Sequence, residues 1–120
     1  CDPILGRRAM HEGIDFNADT GTPVVVSADG VVLSAGWQSD FGNMVEIDHG
    51  DGLTTRYAHL SRMDVKAGSL VKRGEKIGAV GSTGRSTGSH LHFEVRMLGV
   101  AQNPAHFLKQ GVEYAMVKRR

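Results

Sequence analysis

HLHF at residues 90–93 alternates polar and apolar side chains. In an extended strand alternate side chains share a face, so His90 and His92 stand together about 6.7 Å apart. Leu91 and Phe93 then point into an apolar layer on the opposite face. Two neutral imidazoles on one face suit a borderline-soft metal such as zinc. Because an ordinary half-exposed strand face shows the same pattern, this stretch predicts a β-strand and leaves the metal site as a hypothesis.

A second alternating cluster lies near the start of the chain, at His11-Glu12-Gly13-Ile14-Asp15-Phe16. In a strand His11, Gly13 and Asp15 share a face, and Gly13 leaves space where a metal would sit. A helical His-Glu-x-x-His site is rejected because the fifth residue is Asp and because Gly and Ile do not favour a helix. His11, Asp15 and one of the paired histidines would make a three-ligand site with an open fourth position, as a catalytic zinc requires. A structural zinc site more often has four protein ligands and no open position. These ligands are frequently cysteines, and this chain has only Cys1.

A third element is the run that begins at Leu53 and ends in Tyr57-Ala58-His59-Leu60-Ser61. Its Thr, Tyr and Leu residues favour a strand. His59 is then a spare imidazole near a chain turn, and the alternative is an exposed histidine at a sheet edge.

Length and composition limit the classes of function. A chain of 120 residues with a formal net charge of +1 is one domain with one core and predicts no nucleic-acid or other polyanion partner. The single cysteine allows no intrachain disulfide, and no apolar run is long enough to cross a bilayer. Cys1 could be the acylated residue of a lipoprotein, although an anchor there would press His11 against the membrane.

Short strands separated by glycines predict a mainly antiparallel β fold with polar loops at one end. Val24-Val25-Val26 leads through an Asp29-Gly30 turn into another apolar run. Residues 21–32 resemble residues 68–78, which indicates paired hairpin units of the kind seen in barrel-sandwich hybrid domains. A helix is expected only at 104–109, where Pro104 suits the first turn.

The glycine-rich stretch 81–89 precedes the His90 strand. It lacks the Gly-Lys-Ser/Thr ending of a phosphate-binding loop, so we expect a flexible loop whose Arg85 and Ser89 line a groove beside the metal. Asn43 is a candidate substrate contact in the same groove. We expect Trp37 to serve in packing rather than as a groove wall.

Two further polar residues have alternative interpretations. Glu94 falls on the metal-bearing face of its strand, either as a hydrogen-bond partner of a ligand or as a solvated acid. His49 and His106 are interpreted as residues without a catalytic role.

The chain resembles the LytM/lysostaphin-type zinc metallopeptidases, peptidase family M23, over nearly its whole length. The matching motifs, in the order of the family, are His11-Glu12-Gly13-Ile14-Asp15-Phe16, Gly21-Thr22-Pro23-Val24, Tyr57-Ala58-His59-Leu60, Gly81-Ser82-Thr83-Gly84 and His90-Leu91-His92-Phe93-Glu94. The resemblance implies one zinc per chain held by His11, Asp15 and His92, with His59 and His90 as acid–base residues beside it. It also implies antiparallel sheets in a duplicated hybrid motif with an open groove and little helix.

The resemblance further implies hydrolysis of peptidoglycan peptide stems by metal-activated water. The glycyl-glycine branch typically shows His-Tyr-Gly, a Tyr-Gly-Gly-Gly-Asn loop and Ser-Thr-Ala-Pro, whereas this chain has His11-Glu12-Gly13, Asp40-Phe41-Gly42-Asn43 and Ser86-Thr87-Gly88-Ser89. It looks more like Gram-negative members that cut the D-alanyl–diaminopimelate cross-link, so we predict a D,D-endopeptidase. The expected setting is a monomeric catalytic domain, residues 1–120, of a longer protein of the bacterial envelope, in the periplasm, with a regulatory segment or activator as a possible partner.

Two functions of other classes were weighed. A non-catalytic relative that activates a cell-wall amidase commonly lacks metal or acid–base residues, whereas all five are present here. A biotinyl- or lipoyl-like carrier presents one lysine at a hairpin tip, typically after Met, and this chain has no Met-Lys pair. Both comparisons favour an enzyme.

Overall fold

The computed structural model describes residues 13–84 and 88–102. Nine strands make up this part of the chain, and its one helical element is a 3₁₀ turn at Ser39–Phe41. The strands are β1 (Ile14–Asn17), β2 (Pro23–Val25), β3 (Gly30–Gln38), β4 (Gly42–Gly50), β5 (Leu53–Met63), β6 (Leu70–Val71), β7 (Lys76–Val80), β8 (His90–Met97) and β9 (Val100–Gln102).

All strand pairs are antiparallel, which confirms the fold class expected from the sequence. The main path of the sheet runs β1-β8-β5-β4-β3-β6, with β7 joining β5 to β2 and β9 paired to β8. The sheet formed by the described residues is open. Among the described residues there is no helix with the length and hydropathy needed to cross a bilayer. The helix expected at 104–109 lies outside the described residues.

The two similar segments pair with each other, which agrees with the internal pairing of units expected from the sequence: β2 lies against β7, and the start of β3 lies against β6. Within the described residues, the two strands of each segment are not paired with one another as a hairpin. Their turns are also joined, because the amide of Gly74 donates to the Val26 carbonyl and the amide of Val26 donates to that of Glu75. Val24 and Val25 are fully buried. A strand covered on both faces must be built between other elements, and a two-stranded hairpin cannot supply that cover.

One apolar core lies beneath the face of β8 that carries Leu91 and Phe93, as the alternation in the sequence predicts. Ile14 of β1 and Tyr57 of β5 pack into the same core, where the ring centres of Tyr57 and Phe93 are 5.4 Å apart. Burial raises the pKa of Tyr57, whose hydroxyl bonds to Ser27 and Thr55. Each large apolar side chain buried in this way contributes about 1.5–3 kcal/mol. The core therefore fixes the orientation of β8, and with it the opposite face, which bears the histidines.

Trp37 is not packed into the core, contrary to expectation, since the residue is 63% exposed. It lies opposite Asn43 in the β3–β4 pair, close to the 3₁₀ turn that joins these strands.

Candidate metal and proton-transfer site

Asp15 and His92 face each other across two neighbouring strands. Pairing of β1 with β8 places Asp15 directly opposite His92, and Asn17 opposite His90. Asp15 Oδ1 lies 2.8 Å from His92 Nδ1 and 3.5 Å from His90 Nε2. Among the described residues no three donor side chains form a metal-holding group, and the third expected ligand, His11, lies outside them.

The second ring nitrogen of His92 is also held by a carboxylate. Nε2–H donates to Glu94 Oε2 at 2.9 Å, and Glu94 is only 4% exposed. Burial lowers the pKa of His92, but hydrogen bonds with Asp15 and Glu94 outweigh it and raise the pKa to about 9. The hydrogen bond from His92 in turn lowers the pKa of Asp15. The two carboxylates thus stabilise the positively charged form of the His92 imidazole.

Gly13 packs closely against β8, rather than leaving the open space beside a metal that the sequence predicts. A Cβ there would lie 2.4 Å from the Phe93 carbonyl oxygen and 3.0 Å from both His92 Cε1 and Glu94 Cγ. Its φ of +118° is also a conformation that side chains rarely adopt. Glycine therefore allows the backbone before β1 to approach the His92–Glu94 pair.

His59 occupies a strained position inside β5 rather than a position near a chain turn. Its φ is +63°, and the β4–β5 register shifts around it, so the strand bulges and continues to Met63. Strain of this kind concentrates at functional sites. The ring centre lies 4.9 Å from that of His90 and 5.9 Å from that of His92. The bulge therefore brings the spare imidazole next to the pair on β8.

The hydrogen-bond partners distinguish His92 from the other two histidines. His59 Nδ1–H donates to the Thr83 carbonyl at 2.6 Å, and His90 Nδ1–H donates to the Gly88 carbonyl at 3.0 Å. A carbonyl only accepts, so in neutral His59 and His90 the lone pair is on Nε2. Both ring nitrogens of His92 instead face carboxylate oxygens, Nδ1 toward Asp15 and Nε2 toward Glu94. Burial lowers the pKa of His59, which favours its neutral form.

The loop that holds His59 is fastened to the start of β4. The Thr83 hydroxyl donates to the Leu60 carbonyl at 2.7 Å and accepts from the backbone N–H of Asn43 at 3.2 Å. The side chain of Asn43 donates to the same Leu60 carbonyl at 3.0 Å. This bond uses one of the two Nδ2 hydrogens of Asn43, which leaves Oδ1 and the second hydrogen for any substrate contact. Sequence reasoning gave no role to Thr83, although its position in the glycine-rich motif was a signal.

Gly84 packs against Gly42, and this contact gives a prediction about stability. A Cβ on Gly84 would lie 2.3 Å from the backbone nitrogen of Gly42, and its φ is +75°. We expect Gly84→Ala to lower the free energy of unfolding by about 1–3 kcal/mol more than Gly74→Ala. Gly74 is a matched control because its φ is +85° but a Cβ there has no atom within 4 Å. Urea unfolding measures both, and equal losses would contradict the close packing.

The rim beside the site is aromatic. Phe41 stacks on His92 with ring centres 5.9 Å apart, and the Arg56 guanidinium carbon lies 6.0 Å from the centre of the Phe41 ring. On another side Ser89 shares a 2.8 Å hydrogen bond with Thr20. Arg85 lies outside the described residues, so its place in the groove stays a prediction, as do the substrate contacts of Ser89 and Asn43.

His49 is held by groups outside the His59–His90–His92 cluster. It bonds to the Asp29 carbonyl and to the Thr55 hydroxyl, both at 2.7 Å. This fits its interpretation as a residue without a catalytic role. His106 lies outside the described residues.

Comparison with known proteins points to one family. The pattern of the family described as Peptidase family M23 matches residues 9–104. DD-carboxypeptidase/endopeptidase Mpg of Neisseria meningitidis is 52% identical over 102 residues, which cover 85% of this chain and 24% of that protein. Peptidoglycan DD-endopeptidase ShyA of Vibrio cholerae is 44% identical over 113 residues, covering 94% of this chain and 26% of that protein. The chain thus spans about a quarter of the length of these relatives.

Solved structures agree with this result. The catalytic domain of lysostaphin from Staphylococcus simulans superposes with a TM-score of 0.79 at 42% identity, covering 83% of this chain and 80% of that one. A zinc-containing peptidase from Vibrio cholerae gives a TM-score of 0.73 at 44% identity, covering 83% of this chain and 31% of that one.

Proposed function

The chain belongs to peptidase family M23, and we propose that it is a zinc-dependent D,D-endopeptidase domain that cuts the peptide cross-links of peptidoglycan. The observation that carries this proposal is the convergence of Asp15 and His92 beside His59 and His90. Relatives named as DD-endopeptidases support the reaction, and a structural neighbour described as a zinc-containing peptidase supports the metal. We propose the bacterial envelope as its location and a monomer as its state.

The described residues fit a zinc ion. His92 Nδ1 and Asp15 Oδ1 are ligand types that zinc prefers, and these two atoms lie 2.8 Å apart. A cation there would take the place of the proton on His92 Nδ1, between two carboxylates. His11 is proposed as the third ligand.

Bound zinc supplies a Lewis acid that polarises the scissile carbonyl and makes a water molecule acidic near neutral pH. The protein contributes the proton transfers. With their lone pairs on Nε2, His59 and His90 can each take a proton at that atom and return it to a leaving amine. Their Nδ1–H groups remain bonded to the Thr83 and Gly88 carbonyls, which keeps the rings in place during the transfer.

Cross-linked sacculi test the proposed reaction. We expect the zinc-loaded chain to convert muropeptide dimers joined through D-alanyl–diaminopimelate bonds into monomers, and a chelator to stop the conversion until zinc is restored. Mass spectrometry of the muropeptides gives the bond that is cut. No fall in dimers would defeat the proposal, and cleavage of pentaglycine cross-links alone would assign the chain to the glycyl-glycine branch.

A further inference from the structure

We propose that Glu94 is a positioning residue that presents Nδ1 of His92 to the metal by holding the ring at its opposite nitrogen. This inference rests on the proposed function, since it concerns a metal ligand. Glu94 accepts from His92 Nε2–H at 2.9 Å and is almost fully buried. A carboxylate that holds this proton keeps the lone pair on Nδ1, the nitrogen that faces Asp15.

Two arginines hold the carboxylate of Glu94 in turn. Arg96 Nε donates to its Oε1 at 3.1 Å, and Arg56 Nη1 lies 3.6 Å from the same oxygen. Oε2 is thereby left for His92. The side chain cannot rotate toward solvent without breaking these ion pairs inside the protein, where an unpaired charge is costly.

The arrangement follows from strand register. His92, Glu94 and Arg96 alternate along one face of β8. On β5 Arg56 lies directly opposite Glu94, and on β4 Glu46 lies directly opposite Arg56. Glu46 Oε2 bonds to Arg56 Nε at 3.2 Å. The strands β4, β5 and β8 therefore carry a row of side chains of alternating charge, namely Glu46, Arg56 and Glu94. The row ends at the ring of His92.

Gly13, directly before β1, contributes to the same arrangement. Its missing side chain admits Glu94 Cγ and His92 Cε1 to the space beside the backbone. The pair is thus enclosed between β1 and β5.

The test is the affinity of the 120-residue chain for Co²⁺, titrated by its visible absorption and then displaced by Zn²⁺. We expect Glu94→Gln to weaken Co²⁺ binding by about 10–100-fold and to change the absorption spectrum, since altered orientation of a ligand changes the ligand field. Glu46→Gln is the matched control, because it removes a carboxylate from the same row without touching His92. Equal affinity in Glu94→Gln and the unmodified chain would overturn the inference.

A second measurement separates this inference from the proposed function. Long-range ¹H–¹⁵N spectra of the metal-free chain, recorded at a pH above 9 where the ring of His92 is neutral, report which of its two nitrogens carries the proton. The inference requires a proton on Nε2 in the unmodified chain, whether or not the protein binds metal or cuts peptidoglycan. An unprotonated Nε2 would refute it. If Glu94→Gln does not fold, Arg96→Met, which loosens the same carboxylate, is expected to weaken Co²⁺ binding in the same direction by a smaller factor, and unchanged binding would count against the inference.

Discussion

Replacement of His59 by alanine is expected to leave one zinc per chain and to lower the turnover of cross-linked peptidoglycan by about 10²–10⁴-fold. The ring contacts the Thr83 carbonyl through Nδ1 and lies beside His90. Its loss removes a proton-transfer group while Asp15 and His92 stay in place. Zinc content by elemental analysis and muropeptide release are measured on the same sample.

The backbone at residue 59 calls for a second variant. Because φ is +63°, alanine is strained there, whereas asparagine is among the residues that tolerate this conformation. His59→Asn should therefore fold as well as the unmodified chain and show the same loss of turnover. Full activity in both variants would remove His59 from the mechanism, and loss of zinc in His59→Asn would show that it binds the metal.

Replacement of His92 by alanine is expected to differ from replacement of His59 in its effect on zinc binding. It removes a proposed ligand, so zinc affinity should fall by more than the roughly 100-fold typical of changes to outer hydrogen-bond partners, and turnover should fall to background. The variant also leaves Asp15 and Glu94 without their shared imidazole. Competition with a chelator of known affinity measures the change.

His49→Ala is the control for both experiments, because the described partners of this histidine are Asp29 and Thr55 rather than Asp15, His59, His90 or His92. It should retain zinc and turnover. His92→Ala with one tightly bound zinc would mean that another residue completes the site. Together with His59→Asn, these results test whether ligand and proton carrier are different imidazoles.

The two-residue period of strands is why much of the site could be predicted from the sequence. That period places His90 and His92 on one face and Leu91 and Phe93 on the other, as the structure confirms. The same period places Asp15 outward and Ile14 inward on β1. Which strand pairs with which is a non-local property, so the direct opposition of Asp15 and His92 could not be predicted from periodicity.

Other features lacked a local signal. Left-handed backbone is usually marked by glycine or asparagine, and nothing next to His59 indicates the bulge that the register of β4 imposes on β5. Glu94 could be assigned to the metal-bearing face, but its burial depends on Arg56 from another strand. Which strand of one segment pairs with which strand of the other, β2 with β7 and β3 with β6, could likewise not be predicted, because each segment taken alone has the composition of a hairpin.

The pairing of β1 with β8 also determines when in folding the site exists. Asp15 and His92 are 77 residues apart in the chain, so a loop of that size must close before the two donors meet. Among the described residues, β1 is a four-residue strand that pairs only with β8. A cation bound at the proposed site between them would stabilise the folded chain over every partly folded form that lacks this pair. Occupancy of that site would therefore report that β1 has docked on β8.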